Sequence, residues 1–146
     1  MSNREQRMEE LLSAPLYVAD PLPEQVPKDS KGNYFATDNY WYESGAYKGF
    51  QSRYIDMLEK LGCYYALDFT LGGRDAGTPA PAEMKQLVRD TLARKEDVVV
   101  FTGDMESMLL LSWDSPSMAV YGPCSNLVRL LDRLATGEGM FFWKVS

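Results

Sequence analysis

The sequence predicts an α+β domain, with a mainly antiparallel sheet of five or six strands and about four helices packed mostly on one face. Several segments repeat apolar residues at helical intervals, and short runs rich in β-branched or aromatic residues lie between them. The runs near 98, 108 and 118 are separated by turns too short for parallel crossovers. A chain of 146 residues can bury its own core, so we expect residues 1–146 to form a single domain.

Four segments have the spacing or the terminal signals of helices. Asn3 is the expected N-cap of the first, Gly62 and Gly137 the expected ends of the second and fourth, and Pro81 starts the third. These helices are predicted over 4–13, 46–61, 81–95 and 124–137.

Six short segments are predicted as strands because they are rich in β-branched and aromatic residues. They are 16–20, 63–69, 98–103, 108–113, 118–122 and 140–145. Two stretches between elements are predicted to be irregular. Residues 21–33 contain three prolines and form a Pro-rich surface loop, and 70–80 form a glycine-rich turn region.

The stretch GNYFATDNYWYESG, residues 32–45, carries five aromatic rings and is the candidate binding surface. If 33–43 is extended, alternate side chains face opposite ways and both faces carry rings. Rings left uncovered would suit a protein contact, since tyrosine and tryptophan are enriched at binding hot spots. The alternative is that the 21–33 loop covers these rings as core. The candidate residues are Tyr34, Tyr40, Trp41 and Tyr42, with Asp38 and Glu43 as an acidic rim.

The net charge of −6 is unevenly distributed. Residues 1–45 carry 4 basic and 8 acidic groups, 46–96 carry 8 and 7, and 97–146 carry 3 and 6. No Lys/Arg cluster is present that could neutralise a row of phosphates, so direct nucleic-acid binding is not expected. The acidic ends suit either ordinary solubility or electrostatic steering of a basic protein partner.

The chain contains no histidine and only two cysteines. Histidine-based triads, histidine-ligated zinc and a histidine general base are therefore excluded, and we expect neither a metal nor another cofactor. Cys63 and Cys124 are predicted to be buried thiols. No segment of 18 or more apolar residues occurs and the N-terminal residues lack a secretory pattern. These features predict a cytoplasmic protein that does not enter a membrane.

Carboxylates are the remaining groups that could perform acid–base chemistry. Asp104 and Glu106 lie close together in one predicted turn and Asp114 lies in the next, so they form an alternative ligand site. Arg74, in the loop LGGRDAG, could bind an anion through two parallel N–H donors of its guanidinium. The loop matches neither the glycine spacing of a dinucleotide-binding motif nor that of a P-loop. Solvated charges at hairpin tips are the commoner explanation, so enzyme activity is the minority interpretation.

Two functional hypotheses from different classes follow. The first is a non-catalytic acidic protein-binding module, similar in general composition to inhibitor or immunity-type proteins that block a basic partner such as a toxin. The second is a small-molecule binder or carboxylate-based enzyme that uses the aromatic 34–42 stretch as a stacking platform. A third interpretation is a domain that forms a homodimer through its sheet edge.

Overall fold

The structure is a computed structural model that describes residues 2–146. It contains five α-helices and seven strands. The helices are α1 (Asn3–Leu11), α2 (Lys31–Ser44), α3 (Ala46–Leu61), α4 (Pro81–Ala93) and α5 (Ser125–Gly137). The strands are β1 (Leu16–Asp20), β2 (Leu67–Leu71), β3 (Arg74–Gly77), β4 (Val98–Thr102), β5 (Ser107–Leu111), β6 (Met118–Tyr121) and β7 (Phe141–Lys144).

All seven strands form one sheet in the order β3-β2-β4-β5-β6-β1-β7, and every pairing is antiparallel. The predicted α+β class is confirmed. The predicted element counts are too low by one helix, α2, and by at least one strand, β3. β1 lies between β6 and β7, so the two ends of the chain meet in the sheet. β3 and β7 are its edges.

The main core lies on the face of the sheet that α3, α4 and α5 cover. Val100, Leu109 and Val120 come from three neighbouring strands and point towards this layer. They pack in one buried cluster with Leu58 of α3 and Leu131 of α5. Burial of these side chains is the main force that orders the three helices, since each presents an apolar stripe to the sheet.

α1 covers part of the opposite face of the sheet. Leu11 packs there against Phe101 and Met108 in a smaller buried cluster. Arg4 fixes the start of the helix, because its guanidinium lies over the Phe101 ring and pairs with Asp68. The N-cap is Ser2, whose hydroxyl accepts the Glu5 amide, rather than the predicted Asn3.

Several predicted boundaries are corrected. The strand predicted over 63–69 begins only at Leu67. Cys63, Tyr64 and Tyr65 continue the turn after α3, because their backbone N–H groups donate hydrogen bonds to the carbonyls of residues 60 and 61. Cys63 and Cys124 are both exposed, so the prediction that they are buried is wrong. The predicted 70–80 turn region holds β3, which pairs with β2 across a two-glycine hairpin.

The structure shortens the predicted 21–33 loop. Its last residues form a 3-10 turn, Lys28–Ser30, and α2 begins at Lys31. The irregular part is held to the sheet by Trp143, whose indole N–H donates to the Leu22 carbonyl at 2.8 Å. The aromatic stretch that follows is helical throughout, so the alternation expected for an extended segment does not apply.

Candidate binding surface

α2 is a helix with an inward stripe and no fully buried residue. Tyr34, Asp38 and Trp41 are its half-buried positions, spaced four and three apart along one face. The helix ends at Gly45, which has a positive φ of 85°. This conformation lets the Gly45 backbone N–H donate hydrogen bonds to carbonyls of the last helical turn. The rings of α2 lie on its inward side and on both flanks, and this spread hides the helical period of the segment.

The inward stripe ties α2 to α3. Trp41 packs edge-on against Phe50, with ring centroids 5.2 Å apart. Tyr47 donates its hydroxyl to the Asp38 carboxylate. Burial and the neighbouring Asp38 raise the pKa of Tyr47, so its hydroxyl remains a hydrogen-bond donor. These contacts join α2 to α3 although no residue of α2 is fully buried.

The remaining aromatic residues of α2 face the solvent. Phe35 is 55% exposed, Tyr40 69% and Tyr42 48%. Asn39 and Glu43 are exposed beside them. We call these five residues the α2 outer face: Phe35, Asn39, Tyr40, Tyr42 and Glu43. Helical spacing places Phe35 and Tyr42 on one flank of this face and Tyr40 on the other. Large exposed rings on one short helix are uncommon in an isolated monomer and are typical of contact surfaces.

A cavity of about 370 Å³ opens beside the start of α2. Three aromatic side chains line it, namely Tyr34 and Phe35 from α2 and Trp143 from β7. Asp20, the last residue of β1, provides a carboxylate in the same lining, to which Glu24 adds a second carboxylate and Lys31 an ammonium group. We call this space the Asp20 cavity.

Asp20 is only 5% exposed and is held by two hydrogen bonds. The Ser117 hydroxyl donates to one carboxylate oxygen, and the Leu22 amide donates to the other at 2.8 Å. Burial raises the pKa of Asp20 above its ordinary value, against the opposite effect of these two donors. An ionised carboxylate accepts about four hydrogen bonds, so two acceptor positions remain for a further donor.

Tyr34 remains a neutral phenol in this cavity. Burial, followed by the negative charges of Asp38 and Asp20, raises the pKa of Tyr34 to about 12. Its ring and the rings of Phe35 and Trp143 therefore present uncharged aromatic surface around a carboxylate. Aromatic faces and carboxylates both attract cations.

All six residues predicted as the binding surface lie on α2, but they divide between its two sides. Tyr40, Tyr42 and Glu43 belong to the outer face, whereas the other three form the inward stripe. Phe35, Asp20 and Trp143 also belong to this region and are absent from the site predicted from the sequence. The spacing of Tyr34, Asp38 and Trp41 was the available signal for the helix; nothing local in the sequence joins Asp20 to Trp143.

The alternative ligand residues are dispersed. Asp104 and Glu106 lie in the turn before β5 and Asp114 follows its other end, so the sheet does not bring the three together. α1 covers the first turn, where Arg7 donates to the Met105 carbonyl at 2.7 Å. Arg74 lies on edge strand β3 and pairs with Glu96 at 3.4 Å.

Within residues 2–146, no cluster of three or more cysteine or acidic side chains is arranged to hold a metal ion. No helix in the same range combines the length and the apolar character needed to cross a membrane. Comparison with known proteins gives no significant match to a family model, to a curated protein or to a solved structure.

Proposed function

We propose that this chain is a non-catalytic acidic binding module of the inhibitor or immunity type, which captures a basic protein through α2 and the Asp20 cavity. The observation that carries the proposal is the exposure of three aromatic side chains on a helix that contributes no buried residue to the core. A partner that covers the outer face would bury the aromatic surface that α2 leaves exposed in the isolated chain.

The aromatic residues supply contact area with little loss of side-chain freedom. Each ring rotates about only two side-chain bonds and can bury a large apolar surface, which makes such residues frequent hot spots. Tyr42 also packs edge-on against Tyr47, with centroids 5.4 Å apart, so it is partly oriented before any partner arrives. A surface prepared in this way loses less entropy on binding.

Charge selects a basic partner. Residues 20–43 carry five acidic and two basic groups, a net charge of −3. The Asp20 cavity offers an arginine or lysine side chain of the partner a carboxylate with unused acceptor positions and three surrounding rings. Insertion of one such side chain would anchor the partner, and the surrounding negative charge would speed association at low salt.

Capture from native extract at low salt, followed by mass spectrometry, tests this proposal. The wild-type chain is expected to retain one stoichiometric basic protein. The double variant Phe35→Ala/Tyr42→Ala is expected to lose it, with affinity for the purified partner weaker by more than about 2 kcal/mol. High salt should slow the association rate.

Tyr64→Ala is the control, because Tyr64 is an aromatic residue that is 68% exposed but lies in the turn after α3 rather than on α2. It should capture the partner as well as wild type does. Equal recovery by the wild-type chain and the double variant would contradict the proposal, as would a captured protein of acidic charge.

A further inference from the structure

A second cavity, of about 620 Å³, lies between α3, the end of α4 and the turn that joins β5 to β6. We call it the α3–α4 cleft. Lys48 and Gln51 line it from α3, Arg89 from α4, and Trp113 from the turn. Its volume lies within the usual range for small-molecule sites.

The cleft is basic although the chain is acidic. Three of its lining side chains are cations, Lys48, Arg89 and Lys95, and only Asp90 is an anion. Within residues 2–146, none of these three cations forms an ion pair with a carboxylate. The net charge of the cleft lining is therefore positive, whereas the net charge of the whole chain is −6.

Lys95 occupies a backbone conformation that favours glycine. Its φ is +61°, and it follows the last turn of α4, where its amide donates to the Leu92 carbonyl. A glycine would adopt this conformation without strain, whereas a lysine adopts it at a cost in stability. Its ammonium lies 5.5 Å from the centre of the Trp113 ring, so the strained residue places a cation beside an aromatic wall of the cleft.

Aromatic and polar groups complete the lining. Tyr42 and Tyr47 stand edge-to-face at the junction of α2 and α3. Gln51 donates its amide to the Trp113 carbonyl at 3.3 Å and so fixes the turn that carries the indole. Rings beside cations without carboxylate partners suit a ligand that combines a flat ring with a negative charge.

We propose that the α3–α4 cleft binds a small anion carrying a flat aromatic ring, with Arg89 and Lys95 holding the charged group and Trp113 contacting the ring. This site is separate from the Asp20 cavity and shares only Tyr42 with the α2 outer face. Ligand binding by its cations does not depend on the protein-binding function. The site also differs from the ligand site predicted from the sequence, since the cations carry it rather than Asp104, Glu106 or Asp114.

Calorimetric titration with 1-naphthyl phosphate tests this proposal, with 1-naphthol and inorganic phosphate as its two halves. The intact probe is expected to bind at least ten-fold more tightly than either half, because ring and anion contacts must act together. Arg89→Gln is expected to weaken binding at least five-fold. Lys144→Gln, which removes a cation from β7 outside the cleft, is expected to change nothing.

Lys95→Gly separates binding from folding. If Lys95 has no part in ligand binding, this substitution changes thermal stability alone. The proposal instead requires a melting temperature equal to or above that of wild type, together with at least five-fold weaker binding of 1-naphthyl phosphate. Absence of saturable binding would overturn the proposal, as would equal affinity for 1-naphthol or binding that neither Arg89→Gln nor Lys95→Gly reduces.

Discussion

Tyr47 of α3 donates its hydroxyl to the carboxylate of Asp38 on α2, and this bond crosses the sharp turn at Gly45 that separates the two helices. Tyr47 is buried and Asp38 is half-buried, so water replaces neither partner freely. Because α2 buries no residue fully, a single charge-assisted bond of this kind is a large part of what holds it in place.

Tyr47→Phe is expected to destabilise the protein by about 1–2 kcal/mol, since it leaves Asp38 without its donor. The effect should concentrate in α2. Hydrogen exchange measured by mass spectrometry should show faster exchange in 31–44 and little change in the second half of α3. Tyr40→Phe removes an exposed hydroxyl of the same helix and is the control; equal acceleration in both variants would contradict the assignment.

The two sides of α2 should differ in their effect on stability. Trp41→Ala removes the ring that packs against Phe50 and is expected to lower the free energy of unfolding by about 2–3 kcal/mol, somewhat less than for a fully buried ring. Tyr40→Ala, on the outer face, is expected to change it by no more than about 0.5 kcal/mol. Chemical denaturation measures both. Similar losses for the two variants would place Tyr40 in the core and remove it from the proposed contact surface.

Replacement of Arg4 by lysine should destabilise the protein. Its guanidinium pairs with Asp68 at 2.5 Å and donates to Thr70 at 3.0 Å while lying over the Phe101 ring. A lysine cannot reproduce this fork, so Arg4→Lys is expected to lower the free energy of unfolding by about 1 kcal/mol, after allowance for solvent screening at this partly exposed site. Thermal denaturation measures the change. Arg133→Lys, on the surface of α5, should show almost none.

Much of the fold could be predicted from the sequence because local pattern and tertiary packing agree there. α3, α4 and α5 each carry an apolar stripe of helical period, and β4 and β1 are runs typical of strands. α2 was missed because its aromatic residues lie on the inward side and on both flanks of the helix, which masks its period. β3 was missed because its sequence, RDAG, has no strand propensity and pairs only through its hairpin to β2.

The binding surface was predictable only in its location. A dense group of rings indicates contact or core, but which rings face outward depends on whether the backbone is helical or extended. The Asp20 cavity requires contacts between residues more than a hundred positions apart, such as the bond from Trp143 to Leu22. No local pattern in the sequence encodes such a pairing. Nor does any local pattern predict the contact between Lys95 and Trp113 in the α3–α4 cleft.

The pH dependence of stability should reveal the buried carboxylate of Asp20. Burial raises its pKa above the ordinary value of 3.8, so the folded chain holds this proton more tightly than the unfolded chain does. The contribution of Asp20 to the free energy of unfolding is therefore fully present below pH 3.8, and it is lost as the pH rises through the folded-state pKa. Within that interval the slope is at most about 1.4 kcal/mol per pH unit.

Comparison with Asp20→Asn isolates the effect, because the other carboxylates titrate in both proteins. The asparagine side chain has one acceptor oxygen instead of two, so one of the Leu22 and Ser117 donors loses its partner. This loss lowers the stability of the variant by an amount that does not change with pH. The wild type is expected to gain stability relative to the variant as the pH is lowered from 7 towards 4, measured by urea denaturation at each pH. In Ser117→Ala, which removes a donor to the ionised form, this gain should begin at a higher pH. A difference that stays flat with pH would show that Asp20 titrates as an exposed carboxylate does, and the proposed cavity would lose its buried anion.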